Sequence, residues 1–286
     1  MESMLIVVSE LDPVAVPVAE RWGTPPATGE FVDGAPIRRL PSGALVVRRS
    51  GLHIHDEHLD RKLPPSLRSA GTTVVFPSIH RSEQNVRCLT VHPLGNPGST
   101  AEVGGSPRTL VPTDPRRMAA AVRLLSEGGA PLGFPATFEA THHGPELELP
   151  AMFVEIGYGT DPEPPADAVR VLADVIPTLE PDPGDRIALA AGGGHYAPHF
   201  TDLALRRRWA FGHLISRHAM LGLDRATAAA AWRGTEGAEG IVFARAADAD
   251  HPAFAGLADR LRDTSAPPRG APPVAPTLDE RSTSGT

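Results

Sequence analysis

Nine short apolar runs, most of them rich in β-branched residues, constrain the fold of this chain more than any other feature. They are Leu5–Ser9, Ala44–Arg48, Thr73–Pro77, Cys88–Val91, Ala136–Thr141, Met152–Ile156, Arg186–Ala191, Trp209–Ile215 and Gly240–Ala244. Each has the length of a strand and is bounded by Gly, Pro or polar residues. Helical signals fall between several of them. Asp114 and Pro115 offer an N-cap and a first-turn proline, Met118, Val122 and Leu125 form a stripe, and Gly128-Gly129 ends it. A second helix is expected from about Ala166 to Ile176, with Val169, Leu172 and Ile176 on one face and Pro177 as its stop. Further helices are expected at Pro198–Arg206, Asp224–Trp232 and Pro252–Leu261. This alternation implies an α/β fold with a mixed, largely parallel sheet flanked by helices.

At 286 residues and 41% hydrophobic, the chain can bury a core, which excludes a fibrous or wholly disordered protein. One α/β domain is expected over residues 1–263, followed by a disordered Pro/Ser/Thr-rich tail at 264–286. The acidic, proline-rich stretch 157–165 is expected to lie outside the core. The apolar runs fall far short of the roughly 18–20 residues of a bilayer span. Residues Met1–Val8 lack the basic region and length of a signal peptide. No membrane association, a cytoplasmic location and a monomer are therefore expected. Cys88 is the one cysteine, so internal disulfides and thiolate zinc clusters are excluded, leaving 12 histidines and 34 carboxylates as candidate ligands.

Reactive side chains concentrate at expected strand ends, where open α/β sheets bind ligands. Thr141-His142-His143-Gly144-Pro145 follows a strand. Both histidines reach one crevice if the strand has ended by His142; otherwise one packs and the other is solvated. Gly192-Gly193-Gly194-His195-Tyr196-Ala197-Pro198 lies between a strand and a helix. Its glycines permit positive φ and close approach, and could leave amides for an anion or oxyanion. It has neither Walker nor dinucleotide-loop spacing. Glu155 interrupts the apolar run Met152–Gly157, either as a solvent-facing carboxylate or as a buried site acid. His53-Ile54-His55-Asp56-Glu57-His58 resembles the metallo-β-lactamase-type spacing, but Glu57 stands where that pattern has Asp. It reads first as a solvated polar loop and second as a surface metal site.

Taken together, several segments resemble the D-aminoacyl-tRNA deacylases of the archaeal and plant type. They are Leu5–Glu10 with Asp12-Pro13, His58-Leu59-Asp60, Ser78-Ile79-His80-Arg81-Ser82-Glu83, and Leu89–Pro93 with Gly95-Asn96. Ala140–Pro145, Phe153–Gly157, Gly192–Pro198 and Phe211-Gly212-His213 follow in family order. Departures stand at Ile79 and His199, where the family has Arg, and at Tyr158, where it has Ser. Two absent arginines remove candidate phosphate or carboxylate contacts.

The resemblance implies hydrolysis of the ester between a D-amino acid and the terminal ribose of tRNA, zinc dependence, and a fold akin to peptidyl-tRNA hydrolases and nucleoside phosphorylases. Candidate catalytic residues are His142, His143, Glu155 and His195. His142, His195 and Glu155 are the candidate zinc ligands. Candidate substrate contacts are Ser78, His80, Thr141, Gly192, Gly193, Gly194, Tyr196 and Thr201, with the glycine amides taking an oxyanion or carboxylate. A zinc hydrolase of small esters or amides, a phosphorylase-like enzyme and a non-catalytic tRNA-binding protein are the rival readings.

The net charge of −7 is concentrated. Residues 155–185 hold eight acids against Arg170 alone, which accounts for all of it. The acceptor end of D-aminoacyl-tRNA is expected to avoid that segment. Arg38-Arg39, Arg48-Arg49, Arg116-Arg117 and Arg206-Arg207-Arg208 are the candidate basic surface where they are unpaired.

Overall fold

The computed structural model describes residues 3–68, 71–81 and 85–261. In chain order the strands are β1 (Ser3–Ser9), β2 (Ala27–Val32), β3 (Ala35–Arg39), β4 (Leu45–Arg49), β5 (Thr72–Ile79), β6 (Arg87–Pro93) and β7 (Gly95–Asn96). They continue as β8 (Thr109–Leu110), β9 (Ala136–Phe138), β10 (Ala151–Tyr158), β11 (Arg186–Ala191), β12 (Trp209–Ile215), β13 (Ile241–Phe243) and β14 (Arg260–Leu261). The helices are α1 (Ala15–Glu20), α2 (Pro65–Arg68), α3 (Pro115–Gly129), α4 (Ala166–Val175), α5 (Pro198–Arg207), α6 (Arg217–Met220) and α7 (Arg225–Gly234).

Eight strands form the main sheet in the order β2-β3-β4-β1-β5-β10-β6-β9. β4, β1, β5 and β10 run parallel, β6 is antiparallel to β10, and β9 is parallel to β6. A second sheet, β12-β11-β13-β14, is parallel throughout. The expected mixed, largely parallel α/β fold is therefore present. Its central strands read as unbroken apolar runs because both faces are covered. Ile6, Val75, Met152 and Val154 face α1, α3 and α4 in one core cluster, while Leu5, Val7, Phe76 and Phe153 pack in another on the opposite face. On α3 the stripe Met118, Val122 and Leu125 is fully buried, as are Leu172 and Ile176 at and beyond α4.

The segment after β9 joins the two sheets. Glu139 N–H donates to Val91 O, Ala140 N–H to His195 O and Thr141 N–H to Leu214 O, at 2.8–3.0 Å. Thr201 on α5 clamps the same segment, its hydroxyl accepting from Phe138 N–H at 2.9 Å and donating to Ala197 O.

Two expectations change, and one element is added. The helix at Pro252–Leu261 is replaced by a short 3-10 turn at Pro252–Phe254 and by β14, since Gly256 takes a positive φ of 66° and Ile241 N–H pairs with Asp259 O. The segment 157–165 is not wholly peripheral, because β10 runs on through a buried Tyr158. The β2–β3 hairpin, turning on Asp33-Gly34 with both φ positive, was not anticipated, although Asp-Gly is a strong two-residue turn signal. The tail at 264–286 lies outside the described residues. No helix among the described residues is long and apolar enough to cross a membrane.

His213 on β12 is fully buried. Its Nδ1 lies 3.1 Å from Thr141 Oγ1, and burial pushes its pKa down to about 3. An unfolded histidine takes up a proton near pH 6.5, so the folded state binds fewer protons between about 6.5 and 3, and stability falls as pH falls through that window. Denaturant unfolding should lose up to about 2 kcal/mol from this group between pH 7 and pH 5, at about 1.4 kcal/mol per pH unit below 6.5. His143, lowered to about 4, adds in the same direction. His213→Gln should flatten the acid slope by His213's share; an unchanged slope contradicts a neutral buried His213.

Candidate functional site

Seven side chains converge where the carboxyl end of β5, the middle of β10 and β6, and the loops after β9 and β11 meet: His80, His92, Glu139, His142, His143, Glu155 and His195. Register explains part of this. Glu155 pairs across the sheet with Ser78 on one side and Thr90 on the other, facing the same side as Phe153. β9 ends at Phe138, before the two histidines, so both turn into the crevice. His143 does so with a positive φ of 41°. Ring centroids place His142 4.0 Å from His92, 4.5 Å from His143 and 4.7 Å from His195, while Phe153 stacks beneath His92 at 5.1 Å.

Backbone carbonyls set the tautomers. His142 Nδ1–H donates to Ala140 O at 2.8 Å, His143 Nδ1–H to Gly144 O at 2.7 Å and His92 Nδ1–H to Pro93 O at 3.2 Å. A carbonyl only accepts, so each Nδ1 carries a proton and each Nε2 is turned toward the crevice, the arrangement that prepares imidazole as a base or ligand. Burial holds His142 well below the usual histidine range and pushes His143 to about 4, with the charge of His92 adding to both.

Two buried carboxylates face these rings. Glu139 is fully buried, with His80 Nδ1 at 2.9 Å, His195 Nε2 at 3.5 Å and His142 Nε2 at 3.7 Å. The His80 contact is short but off the hydrogen-bond direction, so neither Glu139 oxygen has an aligned donor. Glu155 lies 3.4 Å from His80 and 3.7 Å from His92. Burial alone would raise both carboxyl pKa values. The facing histidines outweigh it and hold both acids well below the usual range. By the same balance, burial works against charge on His80 and His92 while the carboxylates raise them.

The ligand atoms fall into three overlapping groups, each with its atoms within 4.8 Å of one another: His92 with His142 and His143; Glu139 with His142 and His195; His80 with Glu139 and Glu155. The expected zinc set of His142, His195 and Glu155 is thus not one of these groups. Glu139 takes the place beside His142 and His195, because it and not Glu155 sits on the segment that pairs with the His195 loop.

The remaining candidates separate. Tyr196 belongs to the site, its hydroxyl 2.8 Å from His80 Nε2. Ser78 and Thr141 do not point into it. Ser78 Oγ donates to Asp12 Oδ2 at 3.1 Å, and Thr141 Oγ1 accepts from Leu214 N–H at 3.0 Å beside His213. Thr201 is buried as a clamp on β9. Gly192 N–H is spent on Ile215 O at 2.8 Å, so it is no oxyanion donor, and a Cβ there would meet Asp248 at 2.2 Å. Among the described residues, the Gly193 and Gly194 amides have no acceptor, and α5 begins only at Pro198. His92 and Glu139 were absent from the sequence-based site. Phe138-Glu139-Ala140 carries the same signal as Glu155, a carboxylate set among apolar residues of a strand run. Asp12 was also unassigned. It fills the gap where β1 and β5 diverge, accepting from Ile79 N–H and Ser78 Oγ and capping α1 through Val14 and Ala15 N–H, and so fixes the residue before His80.

The His53–His58 loop is not a solvated surface loop throughout. His53 is buried against Phe76 and Phe153, and Glu57 accepts from Gly105 and Glu146 N–H. Among the arginine runs, Arg208 pairs with Asp182 and Asp185, Arg206 with Asp202, and Arg117 is buried against Thr73, Asp114 and Leu179 O. Arg208 therefore partly neutralises the acidic segment, and Arg206 is paired within its own helix.

A mixed, largely parallel sheet with histidines and carboxylates gathered in and just beyond its strands defines an α/β protein built around a buried histidine–carboxylate centre. Comparison with known proteins narrows that class. Residues 68–259 match the family model described as D-aminoacyl-tRNA deacylase. The curated D-aminoacyl-tRNA deacylase of Thermoplasma acidophilum is 35% identical over 193 residues, covering 67% of this chain and 74% of that protein. Those of Methanosphaerula palustris and Pyrococcus abyssi are 36% and 33% identical, covering 93% and 65% of this chain and 57% and 69% of theirs. The chain thus spans between 57% and 74% of the length of these relatives. The crystal structure of the conserved protein of unknown function AF0625 superposes with a TM-score of 0.73 at 27% identity, over 85% of this chain and 86% of that one. The chain belongs to the D-aminoacyl-tRNA deacylase family, a family of ester hydrolases, and all seven clustered residues lie within the matched segment. Membership favours that activity over the small-ester, phosphorylase-like and non-catalytic readings.

Proposed function

We infer that the seven-residue cluster is the centre at which this chain hydrolyses the ester of D-aminoacyl-tRNA, releasing D-amino acid and tRNA. One observation carries the reading: the imidazoles of His92 and His142, each with Nδ1 pinned by a carbonyl, turn Nε2 toward the buried carboxylates of Glu155 and Glu139, with His143 pinned beside them. The orphaned oxygens of Glu139 fit a bound cation, since a buried carboxylate without donors is costly. The donor set is nitrogen and oxygen, which suits zinc. A zinc ion held by His142, His195 and Glu139, or by the neighbouring groups, would lower the pKa of a water and polarise the ester carbonyl.

The chain's own residues supply the rest. His143 is neutral above about pH 4 and can take a proton from the attacking water at Nε2. Tyr196 holds the His80 ring against the two carboxylates, so charge at the centre stays balanced as the oxyanion forms. The Gly193 and Gly194 amides are placed as donors to that oxyanion. The proton that His143 takes can then pass to the departing ribose oxygen, which balances the step, while His195 stands 40% exposed at the mouth. A cytoplasmic location accords with a tRNA substrate.

Dialysis against a chelator should abolish release of D-tyrosine from D-tyrosyl-tRNA, and added zinc should restore it. Full turnover by metal-free protein would remove zinc from the account.

A further inference from the structure

A cavity of about 450 Å³ opens beside the carboxyl ends of β1 and β4, apart from the histidine–carboxylate cluster. Trp22, Arg38 on β3, Arg48 on β4 and Glu10 are among the residues that line it. The size suits a small-molecule site, and the carboxyl edge of a parallel sheet is where such folds take ligands.

The register decides what the cavity can hold. Arg38 pairs with Val46 across the β3–β4 ladder, so Arg48 stands diagonally from it on the same face, roughly 7–8 Å away. Arg38 spends one Nη1–H on Pro25 O at 2.8 Å. Arg48 has a single ion pair, to Glu10 at 3.5 Å, with both side chains close to half exposed. Such a pair contributes little. Arg49 at the rim differs, being tied to Asp33 and Asp56 at 2.8 Å each. Two guanidiniums with most of their N–H groups unspent therefore share one concave face with an indole whose own N–H is fixed on Ala173 O at 2.8 Å. Guanidinium forks match phosphate oxygens, and an aromatic face accepts any base.

We propose that this cavity binds a nucleotide of the single-stranded acceptor end of the tRNA, its phosphate between Arg38 and Arg48 and its base against Trp22. The proposal rests on the deacylase reading and extends it. β4 lies three strands from β10, roughly 14 Å at about 4.8 Å per strand, so the bound nucleotide precedes the terminal one that carries the ester. The acceptor end has the same sequence in every tRNA, so a grip here works for any attached amino acid.

Arg38→Gln, Arg48→Gln and the double variant test this in the full chain, with D-tyrosyl-tRNA and the short ester 3′-O-D-tyrosyl-adenosine as substrates. Each single change should raise KM for the tRNA about tenfold with kcat unchanged, and lower the salt dependence of binding by about one phosphate contact. The adenosine ester, too short to reach the cavity, should be hydrolysed as by the unaltered protein. Equal effects on both substrates, or none on the tRNA, would overturn the proposal. If the unaltered protein hydrolyses neither substrate, the deacylase reading fails by itself. Binding of uncharged tRNA then still decides the cavity: weaker binding by the variants supports it, and equal binding refutes it.

Discussion

Glu139→Gln should lower kcat for D-tyrosyl-tRNA by about 10³-fold, within the range that positioned acid–base groups supply. Glu139 is common to two of the three ligand groups, as is His142, and it alone of the two is a carboxylate, touching His80, His142 and His195 from a fully buried position. Glutamine keeps its shape and removes its charge. A folded variant is expected, because the carboxylate accepts no aligned hydrogen bond that the amide would break. Bound zinc per chain should fall with kcat, a readout that a purely structural role would leave unmoved. Activity within threefold of the unaltered protein, at unchanged metal content, would take Glu139 out of the centre.

His142→Ala and His195→Ala form the second test. Each should cost about 10²–10⁴ in kcat, and the double variant should cost little more than either one, since residues acting as a unit are non-additive. The rings stand 4.7 Å apart and share Glu139, so either loss dismantles the same arrangement. Independent, multiplying effects would mean separate roles. If His142→Ala, His143→Ala and His195→Ala all retain the full rate, the cluster is not the catalytic centre.

Which parts of this molecule could be read from its sequence follows from how local each feature is. Arg186–Ala191 and Trp209–Ile215 coincide with β11 and β12, because a strand buried on both faces writes its own boundaries in apolar residues. Phe254, Leu257 and Leu261 have helical spacing, and Pro252 does open a turn, yet Gly256 turns left-handed and β13 draws the last residues into a sheet. Glu155 stands out because the seven other positions of its strand are apolar or glycine. Glu139 has the same character just beyond a three-residue strand, and its importance appears only when the segment after β9 pairs with the His195 loop. The fate of the Gly192 amide depends on β12, 20 residues later, and the partners of Arg208 depend on the Asp182–Asp185 turn. Local patterns marked out the fold and four of the seven converging residues as catalytic candidates. Long-range pairing supplied His92 and Glu139 and moved His80 from substrate contact to the middle of the charge network.

Release of tyrosine by the purified chain from D-tyrosyl-tRNA and L-tyrosyl-tRNA, measured side by side with and without chelator, tests the central claim most directly. Hydrolysis of the D-ester that the chelator suppresses, with the L-ester left largely intact, is the predicted result. Equal hydrolysis of both esters, or none of the D-ester in zinc-loaded protein, would contradict it.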